Sequence, residues 1–202
     1  EITTRLVGSE MCIRDREHID RLVEIFNACW PMYAAMPAVL KDAIERSYQK
    51  VGWDLRNSES EKGIFPTFFD LLDILPGVIE ESHYSKDTQS DYVGALCTRV
   101  KSLTNGIYGS VLCAEDALSD AEMFDQNVIV DLSRVGSMET KSLLMGILVM
   151  KLQEYRMCSS GMNSRLRHVT VLEEAHNLLR KTSAEQSPVS YTHLTLPTNS
   201  LV

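Results

Sequence analysis

The sequence contains no G-x-x-x-x-G-K-[ST] stretch, no C-x-x-C pair and no apolar run as long as a membrane span. The first absence means that this chain has no glycine-rich loop to cradle a phosphate. The second, with the five cysteines Cys12, Cys29, Cys97, Cys113 and Cys158 scattered and no histidine clustered near them, argues against a structural zinc site. An odd, scattered set of thiols reads as reduced cysteines in a cytoplasmic protein. Basic residues are in deficit: 20 Lys and Arg against 28 Asp and Glu leave a net charge of −8. That excludes a strongly basic nucleic-acid surface over the whole chain, but not a local basic channel or one formed between subunits. The amino terminus has no apolar signal region, and neither internal repeats nor low-complexity tracts are present. What remains is ordinary for a globular protein: 202 residues, 44% hydrophobic and 24% charged, enough for one domain or a domain with an insertion.

The two ends differ from the middle. Residues 1–16, "EITTRLVGSEMCIRDR", show no period that continues into residue 17 and beyond, and the last residues, "PVSYTHLTLPTNSLV", carry no charge. The strings "LVGSEMCIRDR" and "VSYTHLTLPT" resemble translated adapter sequence found at the ends of unrelated assembled fragments. On that resemblance the genuine protein spans roughly 17–187 and is cut at both ends, so residues 1–16 and 188–202 are expected to make few contacts with a core. Two natural flexible termini are the alternative.

Residues 17–124 read as mainly helical. "EHIDRLVEIFNACW" places Ile19, Leu22, Val23, Ile25 and Phe26 near one face. Pro37 suits the first turn of a helix that turns Val39, Leu40, Ile44 and Tyr48 inward. "GWDLRNSESEKG" is loop-like. Thr67 is placed to cap a helix, with Asp70 as its capping-box partner, and Pro76-Gly77 is expected to interrupt it. A longer helix from about Asp87 carries Val93, Leu96, Cys97, Val100 and Leu103 as its stripe and ends at Asn105-Gly106. "GIYGSVLC" reads as a short strand or an irregular segment. "AEDALSDAEMFDQ" reads as a short helix and loop.

After residue 126 the pattern changes. "NVIVDLSRVGS" is a β-branched run closed by Asp131 and Ser133. Ser137 can cap the next helix, "METKSLLMGILVMKLQEYRM", which is apolar on nearly every side and should be buried. A polar loop then leads to "HVTVL", which stops at two adjacent carboxylates, Glu173 and Glu174. Strand, buried helix and strand make a βαβ unit with parallel strands, and ligands bind at the carboxyl ends of such strands. The predicted fold class is therefore α/β, with residues 125–187 as a βαβ core and residues 17–124 as a helical insertion.

Two acids side by side at a strand end splay apart. One can orient a magnesium ion while the other polarises a water for attack on a γ-phosphate. Alternatively both sit in the first turn of the following helix and favour its dipole. Asp131 and Ser133 are either nucleotide-sensing groups or caps of a turn. Arg134 is either a phosphate contact, in its own subunit or across an interface, or an exposed loop arginine. His176 is an orienting group for one acid or a local hydrogen bonder. Arg99 and Lys101 form a nucleic-acid or subunit contact or simply a solvated face.

The stretches "NVIVDLSRVGSMETKSLLMGILVMKLQEYRM" and "LRHVTVLEEAHNLLRKTS" together resemble the HerA-like ATP-binding proteins of the HerA–FtsK superfamily, ring-forming P-loop ATPases that move DNA. "LEEAHNLL" is similar to that family's Walker B motif. The resemblance implies a RecA-like P-loop core, Glu173 on the metal side, Glu174 as the catalytic carboxylate, and Asp131, Ser133 and Arg134 beside the nucleotide. It also implies ATP and Mg2+ as cofactors, DNA as partner, a homo-oligomeric (hexameric) ring, a possible partner nuclease and no membrane. The family's Walker A loop is expected upstream of residue 17 and is missing here, as are its later strands and C-terminal arginine elements. The expectation is thus half of a phosphate site. Two rivals stand beside it: a metal-dependent nuclease using the paired acids, and a helical interaction module whose βαβ unit is purely structural.

Overall fold

The computed structural model describes residues 15–57, 59–60, 63–114, 118–159, 166 and 168–173. Helix α1 (Asp15–Cys29) buries Ile19, Leu22, Val23, Ile25 and Phe26, the face that the periodicity picked out. It starts two residues inside the segment read as an amino-terminal tail; residues 1–14 and 188–202 lie outside the described residues. In the connection to α2, Ala34 is left-handed at φ 51°, and the Tyr92 hydroxyl accepts the Ala35 N–H at 3.2 Å. Helix α2 (Met36–Lys50) has Pro37 in its first turn, where a missing N–H costs nothing, and buries Val39, Leu40, Ile44 and Tyr48 as expected.

The stretch read as a loop contains a minimal hairpin, β1 (Trp53–Asp54) and β2 (Glu59–Ser60), antiparallel with Trp53 opposite Ser60. Helix α3 (Phe68–Glu81) opens with the expected capping box: Asp70 N–H donates to Thr67 Oγ1 at 3.4 Å, and Thr67 N–H donates to Asp70 Oδ2 at 2.8 Å. It does not break at Pro76-Gly77. An internal proline costs about 3 kcal/mol. Leu71, Leu75, Val78 and Ile79 flank it and are all buried, α3 packing against α2. At about 1.5–3 kcal/mol for each fully buried aliphatic side chain, their burial outweighs one lost backbone bond.

The long helix is present as α4 (Lys86–Tyr92) and α5 (Thr98–Thr104), joined without a break by a π-turn, Val93–Cys97. The wider turn shifts the buried stripe by one position. Tyr92, Leu96, Val100 and Leu103 face the core, and Val93, expected there, is turned out to solvent. Thr104 ends α5, and Gly106, at φ +57°, opens α6 (Gly106–Leu112), so "GIYGSVLC" is helical rather than a strand. Gly109 meets the chain closely there. A Cβ at this position would sit 2.1 Å from the Thr104 carbonyl oxygen. Gly109→Ala is therefore expected to cost about 1–3 kcal/mol, the range for forced overpacking. An unchanged urea midpoint would show that the α5–α6 corner opens freely.

Helix α7 (Asp120–Phe124) is capped by Ser119 and Glu122. Helix α8 (Met138–Ser159) comes next, its first turn capped by Ser137 as expected. It packs on α1, and its Leu143, Leu144, Ile147 and Met150 belong to the same buried cluster as Phe26, Leu40, Leu71 and Leu96.

The α/β expectation is corrected here. Among the described residues the architecture is helical, and the hairpin is the only sheet. Residues 127–132 and 168–172 form no ladder, so the described residues contain no parallel βαβ core. Ile129 is 95% exposed and Val171 81%. The β-branched composition expressed a preference for extended backbone, but a strand exists only where a neighbour takes up its hydrogen bonds and covers its side chains. No described segment does so. No helix among the described residues is long and apolar enough to cross a membrane.

Candidate functional site

Asp131 and Ser133 come together, and locally. The Ser133 N–H donates to Asp131 Oδ1 at 2.8 Å, and the turn is closed by Val135 N–H on the Leu132 carbonyl at 3.1 Å. The Ser133 hydroxyl and amide, aided by Arg134 and Lys141, hold the Asp131 carboxyl below its ordinary range. This is the turn-capping arrangement, the alternative given for these two residues on sequence grounds. Asp131, Ser133 and Arg134 are all exposed.

Glu173 is exposed at the end of the 168–172 segment. Glu174 and His176 lie outside the described residues. The expectation that Asp131 and Glu173 share one edge of a parallel sheet fails with the sheet. What the fold does provide is a common seat: Leu132 and Leu172, the residues next to those two acids, both pack on Met145 of α8, beside Val149. A hydrogen bond between His168 Nδ1 and the Phe124 carbonyl, 2.9 Å, ties the second segment to the end of α7. Among the described residues, no group of three His, Cys, Asp or Glu side chains could hold a metal ion.

No family model, curated protein or solved structure matches this chain.

Of the two basic residues on α5, Lys101 is exposed. Arg99 Nη1 donates to the Pro31 carbonyl at 3.3 Å. Asp73 pairs with Lys50 at 2.6 Å on the surface. A cleft of about 270 Å³ lies beside the hairpin, lined by Glu45, Gln49, Trp53, Asp54, Leu55 and Arg56, and none of the described candidate residues lines it.

Cys29, Cys97 and Cys113 are protected rather than reactive. Burial, with a smaller contribution from Glu139, pushes the Cys29 thiol up to about 12, and burial also raises Cys97 and Cys113. Cys29 is thus expected to resist alkylation near neutral pH until the protein unfolds. Below the ordinary value of 9.0 the thiol is neutral in both folded and unfolded chains, so it contributes no pH dependence. Above it only the unfolded chain ionises, and stability falls as pH rises from about 9 toward 12. Mass-spectrometric counting of alkylated cysteines checks the first point. Modification of Cys29 at the rate of the unfolded chain would overturn it.

Sequence reasoning missed the most unusual side-chain cluster, which lies inside the helical body. His18 Nδ1 stands 3.0 and 3.1 Å from the two carboxylate oxygens of Glu154, with both side chains essentially inaccessible. Arg21 Nη1 adds a longer contact of 3.8 Å to the same carboxylate. One turn away on α8, the buried Lys151 meets Asp120 at 3.2 Å. The signal was available: Lys151 and Glu154 are charges in a helix that reads as apolar on nearly every side, so burial of that helix had to bring them partners.

Proposed function

We propose that this chain supplies the acidic half of an ATP-hydrolysing site of the HerA-like type, in a DNA translocase or helicase. Glu173 stands on the magnesium side, Glu174 activates the attacking water, and Asp131, Ser133 and Arg134 lie beside the nucleotide. The observation that supports this reading is the common seat on α8, which gathers the two polar-ended segments, "VIVDLS" and "TVLEEAH", through Leu132 and Leu172. The residues present fit only part of such a site. They include paired acids but no glycine-rich loop to bind phosphates, and the described acids form no metal-holding group. Hydrolysis therefore requires phosphate-binding groups that this chain does not contain. DNA, a ring of further copies and a nuclease are the partners that accompany the proposal.

The second reading is a helical interaction module. It is favoured by the helical architecture and by the engagement of Asp131 in its own turn. The two readings part on one experiment. In a protein that joins residues 17–187 to a phosphate-binding loop, Glu173→Gln should weaken magnesium-dependent nucleotide binding by about 10–100-fold, the scale for a group that orients a metal's ligands. Titration with and without magnesium measures it. Equal affinity for the two proteins would leave the interaction module as the better reading.

A further inference from the structure

Helix α8 has no single apolar stripe. At about 100° per residue, Leu143, Ile147, Met150 and Leu144 cover one arc, which is buried in the main core. Met145, Leu148, Val149 and Leu152 cover a second arc, displaced by about 160°, a little under half a turn. Rotation of α8 about its own axis would exchange one apolar surface for another, so hydrophobic burial, which has no direction, discriminates weakly between the two settings. The polar side chains do discriminate. Glu154 faces His18 and Arg21 of α1 in only one setting, and Lys151 faces Asp120 of α7 in the same one. Turning the second arc inward would break both pairs, because Glu154 and Lys151 lie on the same arc as Leu143, Ile147 and Met150 and would swing away from α1 and α7.

We propose that the buried pairs Glu154–His18 and Lys151–Asp120 act as a rotational lock, fixing which apolar arc of α8 faces the helical core and which is left to seat Leu132 and Leu172. The lock thereby positions the two segments that carry Asp131 and Glu173. It does not depend on what those acids do. A buried ionic group that selects one register among several near-equivalent apolar packings is the best-attested use of such groups, and it predicts specificity rather than stability.

The test replaces both pairs by apolar or uncharged side chains in the full chain, as H18L, D120N, K151M and E154L together, with methyl-labelled methionine as the probe. The expected result is an unchanged helical content and a cooperative unfolding midpoint close to the parent's, while the Met145 and Met150 methyl signals split into at least two sets or broaden, and amide protection over 130–132 and 170–172 falls. A single sharp set at the parent's shifts would overturn the proposal, because apolar packing would then fix the register unaided. Loss of cooperative folding would overturn it as well, because the pairs would then carry stability rather than register. Glu154→Gln alone, which keeps an acceptor for His18 Nδ1, should give the parent's single set; splitting there would also count against the lock.

Discussion

Glu174→Gln is expected to leave nucleotide bound and to reduce its hydrolysis by about 10²-fold or more, the scale for removing a positioned general base. The protein to use is one that joins this "LEEAHNLL" stretch to a phosphate-binding loop, since the present sequence contains no such loop. Glutamine keeps the shape of the side chain and one hydrogen bond, but cannot take a proton from water as a carboxylate can. Glu173→Gln should act differently, by removing charge beside the metal and so loosening the nucleotide itself. The pair therefore separates two roles that a single loss of activity would confuse. Steady-state phosphate release beside nucleotide titration reads both. Parent-rate hydrolysis by the Glu174→Gln protein would make the two acids ordinary residues at a helix start, and the proposed chemistry would be wrong.

Glu154→Ala should have the largest effect on stability of any single change outside the apolar core. It removes the shared partner of His18 and Arg21 and leaves their polar atoms in a site where Glu154 and His18 are nearly inaccessible. Removing one member of a buried ion pair costs about 3–5 kcal/mol. For a chain of this size that corresponds to a fall in Tm of roughly 6–20 °C. His18→Ala should act in the same direction, since it strands the carboxylate. Urea unfolding gives the free energy directly, and a cost below about 1 kcal/mol would show that the site hydrates readily when one partner is gone. The contrast with the paired replacement is informative: losing one partner is costly, whereas losing all of them together is expected to leave stability nearly intact and register loose.

Much of the helical part was determined by local chemistry. The 3.6-residue period placed the inward faces of α1 and α2, Pro37 marked a first turn, and Thr67 with Asp70 made a capping box from four residues of sequence. These features depend on near neighbours in the chain, so they are legible without a fold. Glu173 and Glu174 were equally visible as chemistry, two acids after an apolar run, but their setting was not. Whether 127–132 and 168–172 pair as strands depends on a third party to take their hydrogen bonds, and β-branched composition says nothing about whether one is present. Tertiary structure alone decided that α3 runs through Pro76, because the compensation lies in α2, and that a π-turn rotates Val93 outward in favour of Tyr92. It alone brought His18 to Glu154, 136 positions apart in the chain. An apolar period specifies that a helix is buried. Which way it faces, and which charges it takes inside, are set by partners that only folding brings within hydrogen-bond reach.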